Sequence, residues 1–162
     1  MKKTAIKLLT LCLAACLLLT ACGGAKTTVF SYEGLTVEVP RNYKQITGAE
    51  VDAYTFALAN SKASMMGIRE EKAIFEAYGL DPTLEEYANM VQAANQKEMD
   101  MSTYNGQIMM NFTSTVNGET YEYLASVYES EDAYWVIQCG CRSKDYEKYR
   151  GDFFSQLLSV KP

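Results

Sequence analysis

The sequence predicts an α+β domain: an antiparallel β-sheet with helices packed mainly on one face. Three observations point there. Residues 29–39, 108–128 and 134–141 alternate apolar and polar side chains with period two, as half-buried strands do. Residues 84–94 and 146–158 place apolar side chains at helical spacing. Between two of the alternating runs stands Asn117-Gly118, the strongest short hairpin signal, which favours a two-residue type I′ turn.

Taken in order, Val29 to Tyr32, Glu33-Gly34 and Leu35 to Val39 read as strand, turn and strand, ended by Pro40. Residues 41–50 are loop-like. Residues 51–58 and 63–68 form a second hairpin around Asn60-Ser61-Lys62. Residues 71–78 suit a short helix closed by Gly79. Thr83 and Glu86 then make a capping box, and Leu84, Tyr87, Ala88, Val91 and Ala94 give the helix that follows one apolar face. A three-stranded meander comes next. Its first register follows from the Asn-Gly turn: Val116 opposite Glu119, Ser114 opposite Tyr121, Phe112 opposite Tyr123, Met110 opposite Ala125 and Ile108 opposite Val127. A turn over Ser130-Glu131-Asp132 predicts Val127 opposite Trp135, Ala125 opposite Ile137, Tyr123 opposite Cys139 and Tyr121 opposite Cys141. That register makes one face apolar and leaves Tyr128 and Tyr134 as an opposed pair on a mixed face. Ser143 suits the N-cap of a closing amphipathic helix through Tyr146, Tyr149, Phe153, Phe154, Leu157 and Leu158.

The start of the chain has a different character. Lys2, Lys3 and Lys7 precede an apolar run to Leu19, and Leu19-Thr20-Ala21-Cys22 closes it, the charged, apolar and cleavable order of a secretory signal. The run is short of the roughly 20 residues that a membrane span needs. The four-residue ending resembles the lipobox of bacterial lipoproteins, which implies acylation of Cys22 and a new N-terminus there. The chain therefore divides into residues 1–21 as leader, 22–27 as lipidated cysteine and short tether, and 28–162 as one domain. The expected location is the bacterial cell envelope, extracytoplasmic and held to a membrane by lipid.

Composition removes several function classes. Loss of the leader takes three lysines and no acid, which leaves twelve bases against twenty acids and a formal charge of about −8. Such a domain is a poor partner for nucleic acid, and its net charge opposes an anionic surface. Histidine is absent, which removes the side chain best suited to proton transfer near neutral pH and the commonest transition-metal ligand. Two cysteines leave with the leader and Cys22 is the anchor, so only Cys139 and Cys141 remain, too few for a disulfide framework.

Cys139-Gly140-Cys141 is the one motif with reactive chemistry in reach, as a dithiol or soft-metal pair. Two apolar side chains on the core face of a strand explain it more simply. Methionines at 65, 66, 99, 101, 109 and 110 lack a histidine to complete a copper site. Glu129, Glu131 and Asp132 lack the ligand spacing and glycine of a calcium loop. Sequence reading thus assigns no catalytic residue, metal or cofactor. Tyr128 and Tyr134 are its candidates for contact with a partner, since tyrosines combine large apolar area with a polar tip.

Gly34-Leu35-Thr36-Val37-Glu38-Val39-Pro40, Thr83-Leu84-Glu85-Glu86-Tyr87 and Tyr146-Glu147-Lys148-Tyr149 with Phe153 occur in an order that resembles PsbP-like and DcrB-like domains. The resemblance spans most of the chain after the leader. It implies an antiparallel sheet with helices packed against it, and brings no catalytic signature. The functional expectation is a non-catalytic lipid-anchored envelope protein that binds or supports another envelope component. A thiol redox protein using Cys139 and Cys141, or a small-ligand binder with a pocket between helix and sheet, are the alternatives.

Overall fold

A computed structural model describes residues 26–96 and 98–162; Cys22 and the leader lie outside them. Nine strands and three α-helices occur among these residues: β1 Thr27–Tyr32, β2 Leu35–Pro40, β3 Lys44–Gln45, β4 Phe56–Ala59, β5 Ala63–Glu71, α1 Lys72–Ala77, α2 Leu84–Asn95, β6 Asp100–Tyr104, β7 Gln107–Val116, β8 Glu119–Glu129, β9 Ala133–Arg142 and α3 Tyr146–Leu158. Seven strands form one antiparallel sheet in the order β3-β4-β5-β9-β8-β7-β6, and β1 and β2 form a separate hairpin. The class is the expected α+β, but the helices divide between the faces. Leu124, Trp135, Ile137 and Cys139 of the sheet pack with Phe153 and Leu157 of α3 and with Leu35, Val37 and Val39 of β2. On the other face Met110, Ala125, Val127 and Tyr134 pack with Tyr87, Ala88 and Val91 of α2. The sheet is a middle layer with a core on each side.

Local chemistry explains most boundaries. Asn117 and Gly118 take φ 52° and 80°, the left-handed pair a type I′ turn requires. The β7–β8 pairing runs as the sequence predicts from Val116↔Glu119 to Met109↔Ser126. α2 begins at the expected capping box: the Thr83 hydroxyl accepts from the Glu86 amide, and the Glu86 carboxylate accepts from the Thr83 amide at 2.8 Å. The chain end is tied to the N-terminal hairpin, with Thr36 and Lys161 exchanging backbone bonds of 2.8 and 3.0 Å.

The β8–β9 register differs from the expectation by one residue. Val127 faces Val136, Tyr128 faces Trp135 and Tyr123 faces Gly140. The Ser130 amide donates to the Ala133 carbonyl at 2.9 Å and its hydroxyl accepts from the Ala133 amide at 3.2 Å, so Glu131-Asp132 closes the hairpin where a three-residue turn was expected. Because side chains alternate, a slip of one carries all of β9 to the opposite face. Trp135 and Ile137 consequently meet Phe153 and Leu157, whereas Ile108 and Phe112 lie on the Tyr87 side. Residues 51–55 are turns and bends instead of strand, the meander gains a fourth strand in β6, and Ser143 opens a 3-10 turn before α3 instead of capping it. Among the described residues no helix is long and apolar enough to cross a membrane.

Candidate functional site

α2 crosses one end of its sheet face and leaves a cleft of about 490 Å³ beside it. Alternation selects the floor: Phe112 and Ser114 from β7, Tyr123 from β8, Val136 and Gln138 from β9 and Ile68 from β5. Met90, Val91 and Ala94 of α2 form the facing wall. The Tyr123 ring stacks on Phe112 at 5.0 Å and 11°. Gly140, its cross-strand partner, makes that position available, since a Cβ there would come within 2.4 Å of the ring. The missing side chain on β9 thus lets a tyrosine lie flat across the strand.

The closed end is an aromatic cluster. Tyr87 and Tyr134 stack at 4.7 Å, and Phe75 meets them edge-on at 5.8 and 5.3 Å respectively. Each hydroxyl is held: Tyr134 donates to the Pro82 carbonyl at 2.6 Å and Tyr87 to the Glu70 carboxylate. Burial, then the hydrogen bond to Glu70 and the charge of its carboxylate, push the Tyr87 phenol far above its ordinary value. At the open end Gln138 donates to the Tyr54 hydroxyl at 3.3 Å, and Asn95 turns its amide to the Val91 carbonyl at 2.8 Å. An apolar floor with hydroxyl and amide groups at its margin suits a ligand with an apolar body and a polar end. Glu70 lines the cleft, and its carboxylate accepts from the Tyr87 hydroxyl.

The sequence-derived candidates sit elsewhere or serve packing. Tyr128 and Tyr134 are 5% and 1% exposed and lie on opposite faces, so they share no surface. Tyr128 donates to the Leu157 carbonyl at 2.7 Å and ties β8 to the last turn of α3. Cys139 and Cys141 are buried, unpaired thiols on the α3 face. Burial raises both: Cys139 well above the usual thiol range, and Cys141 up to about 11, with Asp145 and Glu122 adding to the effect. A thiol held neutral and covered is a poor nucleophile. Among the described residues no group of three or more Cys, Asp and Glu is placed to hold a metal ion. Cys22 is outside those residues. The β7 and β8 parts of the cleft were within reach of sequence reading, because the Asn-Gly register already sets Phe112 beside Tyr123. Tyr54, Ile68 and Glu70 carried no such signal.

Solved structures share this fold. The solution structure of cyanobacterial PsbP (CyanoP) from Synechocystis sp. PCC 6803 superposes with a TM-score of 0.55 at 12% identity, covering 87% of this chain and 96% of that one. The domain is PsbP-like in fold. A protein from Bacteroides thetaiotaomicron matches with a TM-score of 0.54 at 6% identity, covering 84% of this chain and 47% of its own length. LpqN of Mycobacterium tuberculosis, described as involved in cell envelope biogenesis, matches more loosely, with a TM-score of 0.43 at 10% identity over 86% of this chain and 88% of that one. No family model matches the sequence, and no curated protein does. At these identities the likeness concerns the PsbP-like fold alone.

Proposed function

We propose that this PsbP-like domain is a non-catalytic binding module of the bacterial cell envelope. It is anchored outside the cytoplasm through acyl chains on Cys22, and its α2–sheet cleft receives an envelope component with an apolar body and a polar end. The observation that carries the reading is the cleft. It exposes aromatic and aliphatic surface that folding could have covered with a longer α2, and Met90 at its rim is 37% exposed. Apolar surface of this kind gains about 25 cal/mol per Å² when a ligand covers it. Among the described residues that line the site there is no paired acid and base, and the Cys139 and Cys141 thiols face the opposite core, so binding fits the geometry better than redox or hydrolytic chemistry.

Titration with the uncharged fluorophore N-phenyl-1-naphthylamine tests this. Saturable one-site binding is expected. Ala94→Trp, which fills the cleft from α2, should weaken it by at least about tenfold, less than the value of two buried methylenes. Asn89→Trp, on an exposed part of α2 outside the cleft, should leave it unchanged. Binding that is absent, or indifferent to Ala94→Trp, overturns the assignment.

A further inference from the structure

Exposed bases gather at one end of the strands. At the end where the chain enters, the Arg41 amide donates to the Lys26 carbonyl at 3.2 Å. Asn42 beside them meets Asn60 at 3.5 Å, which brings in the turn that carries Lys62, and Lys44 pairs with Ala59. Ala63 pairs with Cys141, so Arg142 and then Lys144 reach the same end. All six bases are exposed. Among the described ion pairs only Arg142 is engaged, with Glu119 at 3.3 Å. Asp145 and Glu147 are nearby, as are Glu122 opposite Cys141, and Glu38 and Asp152 beside Thr27, so acids are interspersed with the bases.

The opposite end is acidic. Arg69 draws Glu33, Glu71 and Asp132 to within 3.5, 3.2 and 2.5 Å, and Lys72 holds Glu129 at 2.7 Å. Glu131, Glu76 and Asp81 add exposed charge there without a basic partner among the described ion pairs. β5 spans the two ends with nine residues, roughly 30 Å at about 3.3 Å per residue. The screening length in physiological salt is about 8 Å. Whatever touches the basic end is therefore shielded from the acidic one, and the net charge of the domain does not decide the contact.

Cys22 lies four residues before Lys26 in the sequence, a reach of at most about 14 Å in any conformation. We propose that the Lys26, Arg41, Lys62 and Lys144 end is a docking surface for the anionic headgroups of the bilayer that holds the anchor. The domain then stands with its strands upright on the membrane and its acidic end turned away. The inference rests on the Cys22 anchor.

The test uses the full-length acylated protein in vesicles of phosphatidylcholine alone or with about 30% phosphatidylglycerol, modified by a membrane-impermeant amine acylating reagent and read peptide by peptide by mass. An anionic leaflet is expected to lower labelling of Lys62 and Lys144 by roughly fivefold, the shift that one surface lysine contributes. Labelling should recover in about 1 M salt, where the screening length falls to about 3 Å. Lys72 at the acidic end should label alike on both vesicles. Equal labelling of Lys62 and Lys144 on the two compositions, with Cys22 acylated in the N-terminal peptide, overturns the orientation alone. An unacylated Cys22 overturns the anchor and the orientation with it.

Discussion

Replacing Gly140 with alanine probes both the β8–β9 register and the floor of the cleft. In an extended strand with no clash, alanine in place of glycine is stabilising by about 0.5 to 1 kcal/mol, because the unfolded chain has less freedom to lose. Here the added Cβ would lie 2.4 and 2.5 Å from two ring carbons of Tyr123, where carbon atoms prefer about 3.5 to 4.0 Å. The ring must move by more than 1 Å, and Phe112 stacked on it opposes that movement. Overpacking of this kind costs about 1 to 3 kcal/mol, so Gly140→Ala should lose about 1 to 2 kcal/mol in urea unfolding followed by circular dichroism. In a Tyr123→Ala background the obstruction is gone and the same change should stabilise by up to about 1 kcal/mol. The double-mutant cycle thus gives a coupling of about 1.5 to 3 kcal/mol. A neutral or stabilising Gly140→Ala in the otherwise unaltered protein would refute the placement of Tyr123 over Gly140.

Other outcomes follow from the two cores. Trp135→Ala removes a fully buried ring from beneath α3 and should cost about 3 to 5 kcal/mol; a surface-like change below about 0.5 kcal/mol would contradict its burial. Tyr128→Phe deletes the bond to the Leu157 carbonyl and should cost about 1 kcal/mol, with no change in fluorophore binding because the cleft is on the other face. Ellman's reagent should find no accessible thiol at pH 8 in the native domain of residues 26–162 as folded within the full chain, and two from Cys139 and Cys141 after unfolding without reductant. A bridge between them would refute the core assignment. The folded thiols titrate above their unfolded value of about 8.5, so their neutral form stabilises the fold fully below that pH and the contribution is lost as pH rises through about 11 for Cys141. Cys141→Ala should flatten the alkaline decline in stability; an unchanged slope would show that burial does not raise this thiol.

What the sequence discloses depends on how local each determinant is. Asn117-Gly118 states its turn type in two residues, and the β7–β8 pairing follows from it. Thr83 and Glu86 likewise announce α2 within one turn. The β8–β9 turn carries no glycine or asparagine, and its length is set by the Ser130 side chain bonding Ala133 and by Arg69 of β5 and Lys72 of α1, remote in sequence, holding Asp132 and Glu129. That one-residue slip separated Tyr128 from Tyr134 and placed the thiols under α3. β6 was missed because Asp100, Ser102, Thr103 and Tyr104 are all exposed, so burial imprints no alternation on them. A second Asn-Gly pair, Asn105-Gly106 with φ 50° and 80°, is its signature and closes β6 onto β7. The cleft itself arises from where α2 stops on the sheet, a relation among five segments that no short motif encodes.

Amide chemical-shift mapping during titration with N-phenyl-1-naphthylamine examines the cleft assignment most directly. Saturable shifts are expected at Asn95 on α2 and at Phe112, Ser114, Tyr123 and Gln138 on the sheet, with Phe153 and Leu157 of α3 unmoved. Shifts centred on α3 and Cys139, or scattered without saturation over the exposed apolar side chains Tyr78 and Leu80, would contradict it.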